Sequence, residues 1–200
     1  MKLLLAIGTC SLLLACSTKT SKKVIVYAKG TATVNEKTQT IDTKDGAGQD
    51  EKILSYSQSE AITLHLNTPQ GSNDVAIAQD GLYILNAKKD TLVGGFVHFV
   101  DPRIKKNVTT QEELKADIDS LEMLVAGKNV SEQNKSFMIL PRSAAKISDN
   151  LAAEVVGPFH KLTTLEKVDG KIPDVYKFYT LKEMRETINK LKLLTVAEKR

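Results

Sequence analysis

Over residues 24–100, apolar and polar positions alternate with a period of two, which is typical of β-strands with one buried face. Clusters of Gly, Pro, Asn and Asp separate the runs, and these residues favour tight turns. Short strands at such regular spacing, without a helical pattern between them, predict an antiparallel sandwich or small barrel. The predicted strands cover residues 23–29, 31–34, 38–42, 52–56, 61–66, 74–78, 82–85 and 91–99, with turns at 35–37, 45–48, 69–71 and 80–81.

Two dipeptides add local detail to this half of the chain. Asp80-Gly81 joins the apolar runs 74–78 and 82–85 and favours the backbone angles of a two-residue hairpin, so we expect those strands to pair. Gly94-Gly95 interrupts the last strand, which indicates either a bulge or the close approach of a neighbouring backbone.

After residue 100 a polar segment leads into a helical period. A threonine three residues before a glutamate can form a capping box, and Thr109 with Glu112 or Thr110 with Glu113 offers one. Gly127 suits the end of this helix. Its apolar face consists of Leu114, Ile118, Leu121 and Val125, and Lys115, Asp117, Asp119 and Glu122 are expected to face solvent.

A second amphipathic helix is predicted at the end of the chain, with Thr180 as its cap and Glu183 as the partner. Between the helices we expect strands at 137–140, 154–157, 162–168 and 175–179, with a turn at Asp169-Gly170. The predicted fold class is α+β: an antiparallel β-rich domain over 24–100, then an α+β portion over 101–200. The apolar face of the second helix consists of Met184, Ile188, Leu191 and Thr195.

Composition narrows the function classes. The 200-residue chain can form one large or two small domains, and it has only two cysteines. Its net charge of +4 is spread along the chain, unlike the concentrated basic patch of a nucleic-acid-binding protein, so no nucleic-acid partner is expected. The absence of Trp disfavours a stacking platform for sugars or bases.

The amino terminus carries a targeting pattern. Lys2 supplies a positive charge, residues 3–15 are apolar, and the small residue Ala15 precedes Cys16. Leu13-Leu14-Ala15-Cys16 resembles the lipobox of bacterial lipoproteins. That resemblance implies cleavage between Ala15 and Cys16, a diacylglyceryl group on the Cys16 thiol, and acylation of the new amino terminus with a fatty acid such as palmitate. Residues 1–15 are thus the expected signal peptide.

Three other interpretations of this segment are weaker. The apolar run is shorter than the ~20 residues that cross a bilayer, and a polar segment follows at once. A buried helix of a cytosolic protein would show a polar face. A signal peptide without lipidation leaves Cys16 unexplained. Cys10 follows Thr9 and would halve the apolar run, so it is expected to leave with the signal.

Residues 16–23 are expected to form a polar tether between lipid and fold, because residues 17–23 contain no apolar side chain to bury. Lys19, Lys22 and Lys23 are candidates for contact with anionic headgroups, although a solvated linker is the better interpretation. Ser17, rather than Asp, follows Cys16, which resembles the signal for passage to the outer membrane.

Catalytic and metal-binding motifs are absent from the sequence: there is no nucleophile elbow, zinc-binding His-Glu-x-x-His, P-loop or dinucleotide fingerprint. His65 and His98 alternate with apolar residues and are expected to face solvent. His160 follows Gly157-Pro158-Phe159 and could line a cleft, although a bulge that turns the strand explains the same residues. We therefore predict no catalytic, metal or cofactor-binding residue.

Acidic residues give no stronger indication of a site. Asp117 and Asp119 point in different directions on one helix, so they are expected to be solvated. The acids around the glycine-bearing loop do not have the spacing of an EF-hand, so a plain turn is favoured over a calcium site. These acids are Asp42, Asp45, Asp50 and Glu51.

The leading functional hypothesis is a non-catalytic lipoprotein of the bacterial envelope, held at the membrane through Cys16, that binds a ligand or scaffolds a protein partner. The first alternative is an envelope hydrolase with an unrecognised site near His160, marked by a cleft that holds an acid of perturbed pKa. The second is an accessory subunit of an outer-membrane assembly, marked by an exposed apolar patch on the β-rich half.

Overall fold

The computed structural model describes residues 20–97, 110–157 and 173–197. Within these ranges the chain forms strands and two helices, one between the sixth and seventh strands and a slightly longer one after the last strand. In chain order they are β1 (Lys22–Asn35), β2 (Thr40–Tyr56), β3 (Ile62–Thr68), β4 (Gly71–Ile77), β5 (Gly81–Asn86), β6 (Leu92–Val97), α1 (Gln111–Val125), β7 (Ser136–Ile139), β8 (Ser143–Ser148), β9 (Glu154–Val156), β10 (Val175–Thr180) and α2 (Leu181–Ala197).

The strands form two sheets, one with the order β4-β3-β2-β1-β5-β8 and one with the order β7-β6-β10-β9. The predicted combination of a β-rich chain with two helices is confirmed. The prediction of antiparallel pairing is only partly correct, because β1 with β5, β2 with β3 and β9 with β10 are parallel. Strands from both sides of residue 100 share each sheet: β8 pairs with β5, and β6 pairs with β7 and β10.

The six-stranded sheet is nearly closed. Asn73 on its β4 edge donates a hydrogen bond through Nδ2 to the carbonyl oxygen of Arg142, next to β8 on the opposite edge, at 2.9 Å. Strand β8 was not predicted from the sequence, because residues 143–148 hold small and polar side chains rather than a clear alternation. This strand nevertheless covers one edge of β5, and so protects its backbone groups from solvent.

Three apolar clusters lie in successive layers. The first covers one face of the six-stranded sheet and includes Val26, Leu64 and Leu85. The second lies between the two sheets and includes Ile84 and Phe178. The third packs the far face of the four-stranded sheet against both helices. The fold is therefore a nearly closed six-stranded sheet that packs against a four-stranded sheet, whose other face carries the two helices.

Strands β1 and β5 belong to two of these clusters at once. Residues 24–28 and the whole of β5 are buried at every position. Val26 and Leu85 enter the first cluster, whereas Ile25 and Ile84 point to the opposite face and enter the second. A parallel pair buried on both faces suits nearly continuous apolar sequences such as these.

This double burial explains why the predicted hairpin at Asp80-Gly81 is wrong. Strand β4 pairs with β3, and β5 pairs with β1 and β8, so the dipeptide lies in a crossover between non-adjacent strands. Gly81 has a φ of 139°, which L side chains rarely adopt, whereas Asp80 has no positive φ, so the dipeptide does not form the predicted hairpin turn. The chain bends at the dipeptide, but β5, which is buried on both faces, lies between β1 and β8 rather than beside β4.

Strands β1 and β2 are longer than predicted. The expected turn at 45–48 lies inside β2, and its residues loop out of the ladder opposite Gly30, where the register shifts between Lys29 and Thr31. A Cβ atom on Gly30, which has φ +88°, would lie 2.0 Å from the carbonyl oxygen of Lys44. The turn signal therefore corresponds to a bulge, and each pair of predicted strands is one continuous strand.

Asn86, at the end of β5, connects the two sheets. Its side chain is fully buried, and Nδ2 donates to the carbonyl oxygens of Ile139 on β7, at 3.0 Å, and of Asp90, at 2.9 Å. Its Oδ1 accepts the backbone N–H of Lys88 at 3.1 Å. Because each polar group of the amide is satisfied, the side chain can link the layers without leaving a buried donor unpaired.

Both predicted helix caps are confirmed. Thr110 and Glu113 form a reciprocal capping box at α1, and the Thr180 backbone and hydroxyl donate to Glu183 at α2. Gly127, with φ +70°, lies just beyond the end of α1 as expected. Neither described helix has the length and apolar character that crossing a bilayer requires. The predicted strand 162–168, the turn at 169–170 and the last positions of strand 91–99 lie outside the described residues.

We predict that Ile84→Ala lowers the free energy of unfolding by about 2–5 kcal/mol, because it leaves a cavity between the two sheets. Ile53→Ala is the matched control, since the Ile53 side chain is 56% exposed, and it should change stability by less than about 0.5 kcal/mol. Urea unfolding followed by circular dichroism measures both. Equal losses in the two variants would show that the interface between the sheets does not carry the stability.

Candidate functional site

The structure describes some, but not all, of the residues singled out in the sequence for chemistry. Cys10, Ala15, Cys16, His98 and His160 lie outside the described residues. His65 lies on β3 with half of its side chain exposed, as predicted, and its Nδ1 is 2.7 Å from Oδ1 of Asp74, which is also exposed. This pair lies on the solvent side of the β3–β4 hairpin, and residues 20–97 contain no second histidine.

Two of the acids around the bulge of β2 accept hydrogen bonds from neighbouring strands. Asp42 accepts a hydrogen bond from Asn67 Nδ2 at 2.8 Å, and Asp50 accepts the backbone N–H of Ala32 at 2.8 Å. The Ala32 hydrogen bond holds the pKa of Asp50 below its ordinary value. Within the described ranges, His, Cys, Asp and Glu form no group of three that could hold a metal ion. Asp117 and Asp119 on α1 are exposed, as predicted.

A recess lies between the four-stranded sheet and the helices. The two glycines Gly94 and Gly95 form part of its wall. A Cβ on Gly94 would lie 2.1 Å from the carbonyl oxygen of Lys177, and a Cβ on Gly95 would lie 2.3 Å from that of Lys135. The β6 ladder shows no register shift here, so the expectation of a close backbone approach is correct and that of a bulge is not.

The recess has a volume of about 240 Å³ and combines apolar walls with cationic groups. Leu121 and Leu124 come from α1, and Met184 comes from α2. Lys177 and Tyr179 are two residues apart on β10, so both face the helical layer. The remaining lining residues are Phe96, Val97, Ser120, Lys128, Asn129 and Ser136, and no carboxylate is among the lining residues that the structure describes.

Two lysines lie against aromatic rings at this place. Lys177 Nζ is 4.9 Å from the centroid of the Tyr179 ring, and Lys135 Nζ is 4.4 Å from that of Phe96. Within the described ranges, no carboxylate lies within ion-pair distance of Lys128, Lys135 or Lys177. Elsewhere, carboxylates pair with Lys22, Lys52, Lys146, Lys182 and Lys192.

A second polar cluster surrounds the first residue of β1. The side chain of Lys22 is fully buried, and its Nζ is 2.7 Å from Asp80 Oδ1. The same ammonium donates to the carbonyl oxygens of Gln58, at 3.1 Å, and of Ser59, at 2.9 Å. The predicted tether therefore ends before Lys22, because three acceptors hold this side chain inside the fold and away from membrane headgroups.

Neither cluster was identified in the sequence. Lys22 is one of three lysines in a polar segment, and nothing local distinguishes it from Lys19 or Lys23. Lys177 left a weak signal in the sequence. It is two residues from Val175 and two residues from Tyr179 on one strand, so it shares a face with both. A lysine on the apolar face of a predicted strand is the pattern that could have marked the recess.

No family model, curated protein or solved structure matches this chain. Function is therefore inferred from the sequence motif and from the geometry of the two clusters alone.

We predict that Asp80→Asn destabilises the protein at neutral pH, because it leaves the buried Lys22 ammonium without its carboxylate. The hydrogen bond from Lys22 lowers the pKa of Asp80, so the ion pair contributes fully above the ordinary aspartate pKa. That contribution is lost as the pH falls through the lowered folded-state pKa. The stability difference between wild type and D80N should therefore shrink below about pH 4.

Urea unfolding over a pH series measures this difference. Asp45→Asn is the control, because Asp45 is exposed and has no ion-pair partner within the described ranges. D45N should follow the wild type at every pH. A D80N deficit that stays constant down to pH 2 would contradict the assignment of the ion pair.

Proposed function

We propose that this protein is a lipoprotein of the bacterial envelope, anchored through acylated Cys16, and that it acts by binding rather than by catalysis. The observation that carries the proposal is the motif Leu13-Leu14-Ala15-Cys16 at the end of the apolar run 3–15. Two or more acyl chains anchor a protein stably, whereas a single chain binds a membrane only reversibly. Ser17 favours the outer membrane as the destination.

The start of β1 supports a short connection to the membrane. Only residues 17–21 separate Cys16 from Lys22, so the distance from the lipidated residue to the first strand is at most roughly 20 Å. The Lys22–Asp80 cluster fixes the beginning of that strand inside the fold. In this proposal, the domain stays close to the bilayer, with the Lys22 end of the six-stranded sheet towards it.

The surface at that end is compatible with this orientation. Strand β1 begins there with Lys22, which pairs with Tyr56 at the end of β2 and with Gly81 at the start of β5. Strand β8 ends beside them, because Ser148 pairs with Leu82. Ser21, Ser59 and Asp149 line a shallow depression next to Asp80. Polar groups of this kind remain hydrated near lipid headgroups and need no insertion into the hydrocarbon core.

Binding is favoured over catalysis by the titratable groups. Hydrogen bonds that stabilise the fold lower the pKa of the Asp50 and Asp80 carboxyls. Burial raises the pKa of Tyr27, so that phenol stays protonated at neutral pH. A carboxyl group that acts as a general acid near neutral pH needs a raised pKa, and neither Asp50 nor Asp80 provides one.

A role as an accessory subunit has less support. An exposed apolar patch on the β-rich half would favour it. Within residues 24–97, Ile53 is the one large hydrophobic residue that is exposed.

We predict that Cys16→Ser removes the protein from the membrane fraction of cells, because the thiol is the site of diacylglyceryl transfer. Cys10→Ser is the matched control, since Cys10 is expected to leave with the signal peptide, and it should not change the distribution. Intact-mass spectrometry of wild-type protein should find residue 16 as the acylated first residue. Recovery of C16S in the membrane fraction, or an unmodified Cys16 in the wild type, would refute the anchor.

A further inference from the structure

We propose that the recess between Gly94-Gly95 and the helices binds a small organic anion that has an apolar or aromatic body. Lys177 receives the acidic group, Lys128 also lines the recess, and Leu121, Leu124 and Met184 contact the apolar part. This inference goes beyond membrane anchoring and rests on the cavity alone.

The charges of the recess select for an anion. Lys128 and Lys177 line it, and Lys135 lies over the ring of Phe96, which also lines it. Within residues 20–97, 110–157 and 173–197, none of these lysines has a carboxylate at ion-pair distance. Lys128 and Lys177 both line the recess, so a bound anion can interact favourably with each of them. A cationic ligand would meet the opposite interaction.

Lys177 is the best placed of the three cations. It projects from a central strand of the four-stranded sheet, between β6 and β9, and its side chain is only partly exposed. Its ammonium lies over the ring of Tyr179, which restricts the side chain before any ligand arrives. A preorganised, partly desolvated cation interacts with an anion more strongly than a free surface lysine does.

The walls and the volume define the rest of the ligand. The apolar residues from both helices can cover a hydrocarbon or aromatic body, whereas inorganic phosphate would leave them exposed to water. The volume of about 240 Å³ is the volume that roughly eight water molecules occupy in liquid water. Benzoate and phenyl phosphate have a suitable size, whereas a complete phospholipid does not.

Equilibrium dialysis of the full chain, as purified from cells and reconstituted in lipid nanodiscs, tests the proposal with radiolabelled phenyl phosphate as the probe. Empty nanodiscs give the background. Competition by unlabelled benzoate, inorganic phosphate and benzyl alcohol separates the contributions of charge and body. We expect saturable binding at about 1 mM or tighter, competition by benzoate, and much weaker competition by phosphate and by the neutral alcohol.

Variants then locate the binding. Lys177→Met should weaken phenyl phosphate binding by at least about tenfold, because it removes the charge but keeps the length of the side chain. Lys177→Arg should retain binding. Lys37→Met, in the exposed turn between β1 and β2, is the matched control and should bind like the wild type. Ser120→Phe should also abolish binding, because the ring fills the recess from α1 without a change of charge.

Several outcomes would overturn the proposal. Absence of saturable binding by folded wild-type protein, or equal binding by wild type and a folded K177M, removes the assignment to Lys177. Equal competition by benzyl alcohol removes the requirement for an anion, and equal competition by inorganic phosphate removes the requirement for an apolar body. The membrane fraction of C16S tests the anchor separately, so failure of one proposal is distinguishable from failure of the other.

Discussion

The burial of β1 and β5 on both faces is the constraint on which the rest of the structure depends. These two strands form a parallel pair inside the six-stranded sheet, and their side chains alternate between the first cluster and the cluster that joins the two sheets. Asn86, at the end of β5, adds a fully satisfied polar connection to the second sheet. The four-stranded sheet then supports the helices through its other face. If this pair of strands separated, the cluster between the two sheets would lose the side chains that β1 and β5 contribute to it.

The features that were predictable from the sequence are those set by neighbours along the chain. The capping boxes at Thr110 and Thr180 depend on residues three positions apart, and each formed as predicted. The partners of the strands were not predictable, because pairing depends on burial across long sequence separations. Asp80-Gly81 has the chemistry of a hairpin turn, yet β5 pairs with a strand some sixty residues earlier. Strand β8 has small and polar side chains, so only its position beside β5 makes it a strand.

The same distinction holds for the functional residues. The sequence Leu13-Leu14-Ala15-Cys16, which resembles a lipobox, is contiguous, so an anchor at Cys16 could be proposed from sixteen residues. Lys22 and Lys177 acquire their roles only from the tertiary structure, where one meets Asp80 and the other faces a recess built from five elements. Lys22 forms an ion pair with Asp80 and fixes the strand nearest the proposed membrane anchor. Lys177 has no carboxylate at ion-pair distance among the described residues and lies beside apolar walls, an arrangement that suits recognition of a small anion.

Native-state hydrogen exchange tests the central claim most directly, because it reports the free energy at which each backbone amide opens. If β1 and β5 connect both sheets, the amides of 24–28 and 82–86 should exchange only by global unfolding and should be the slowest in the protein. The amides of β3, β4 and the two helices should exchange at the same rate or faster. Exchange of the β1 and β5 amides through a partial opening, while the four-stranded sheet stays protected, would contradict the account.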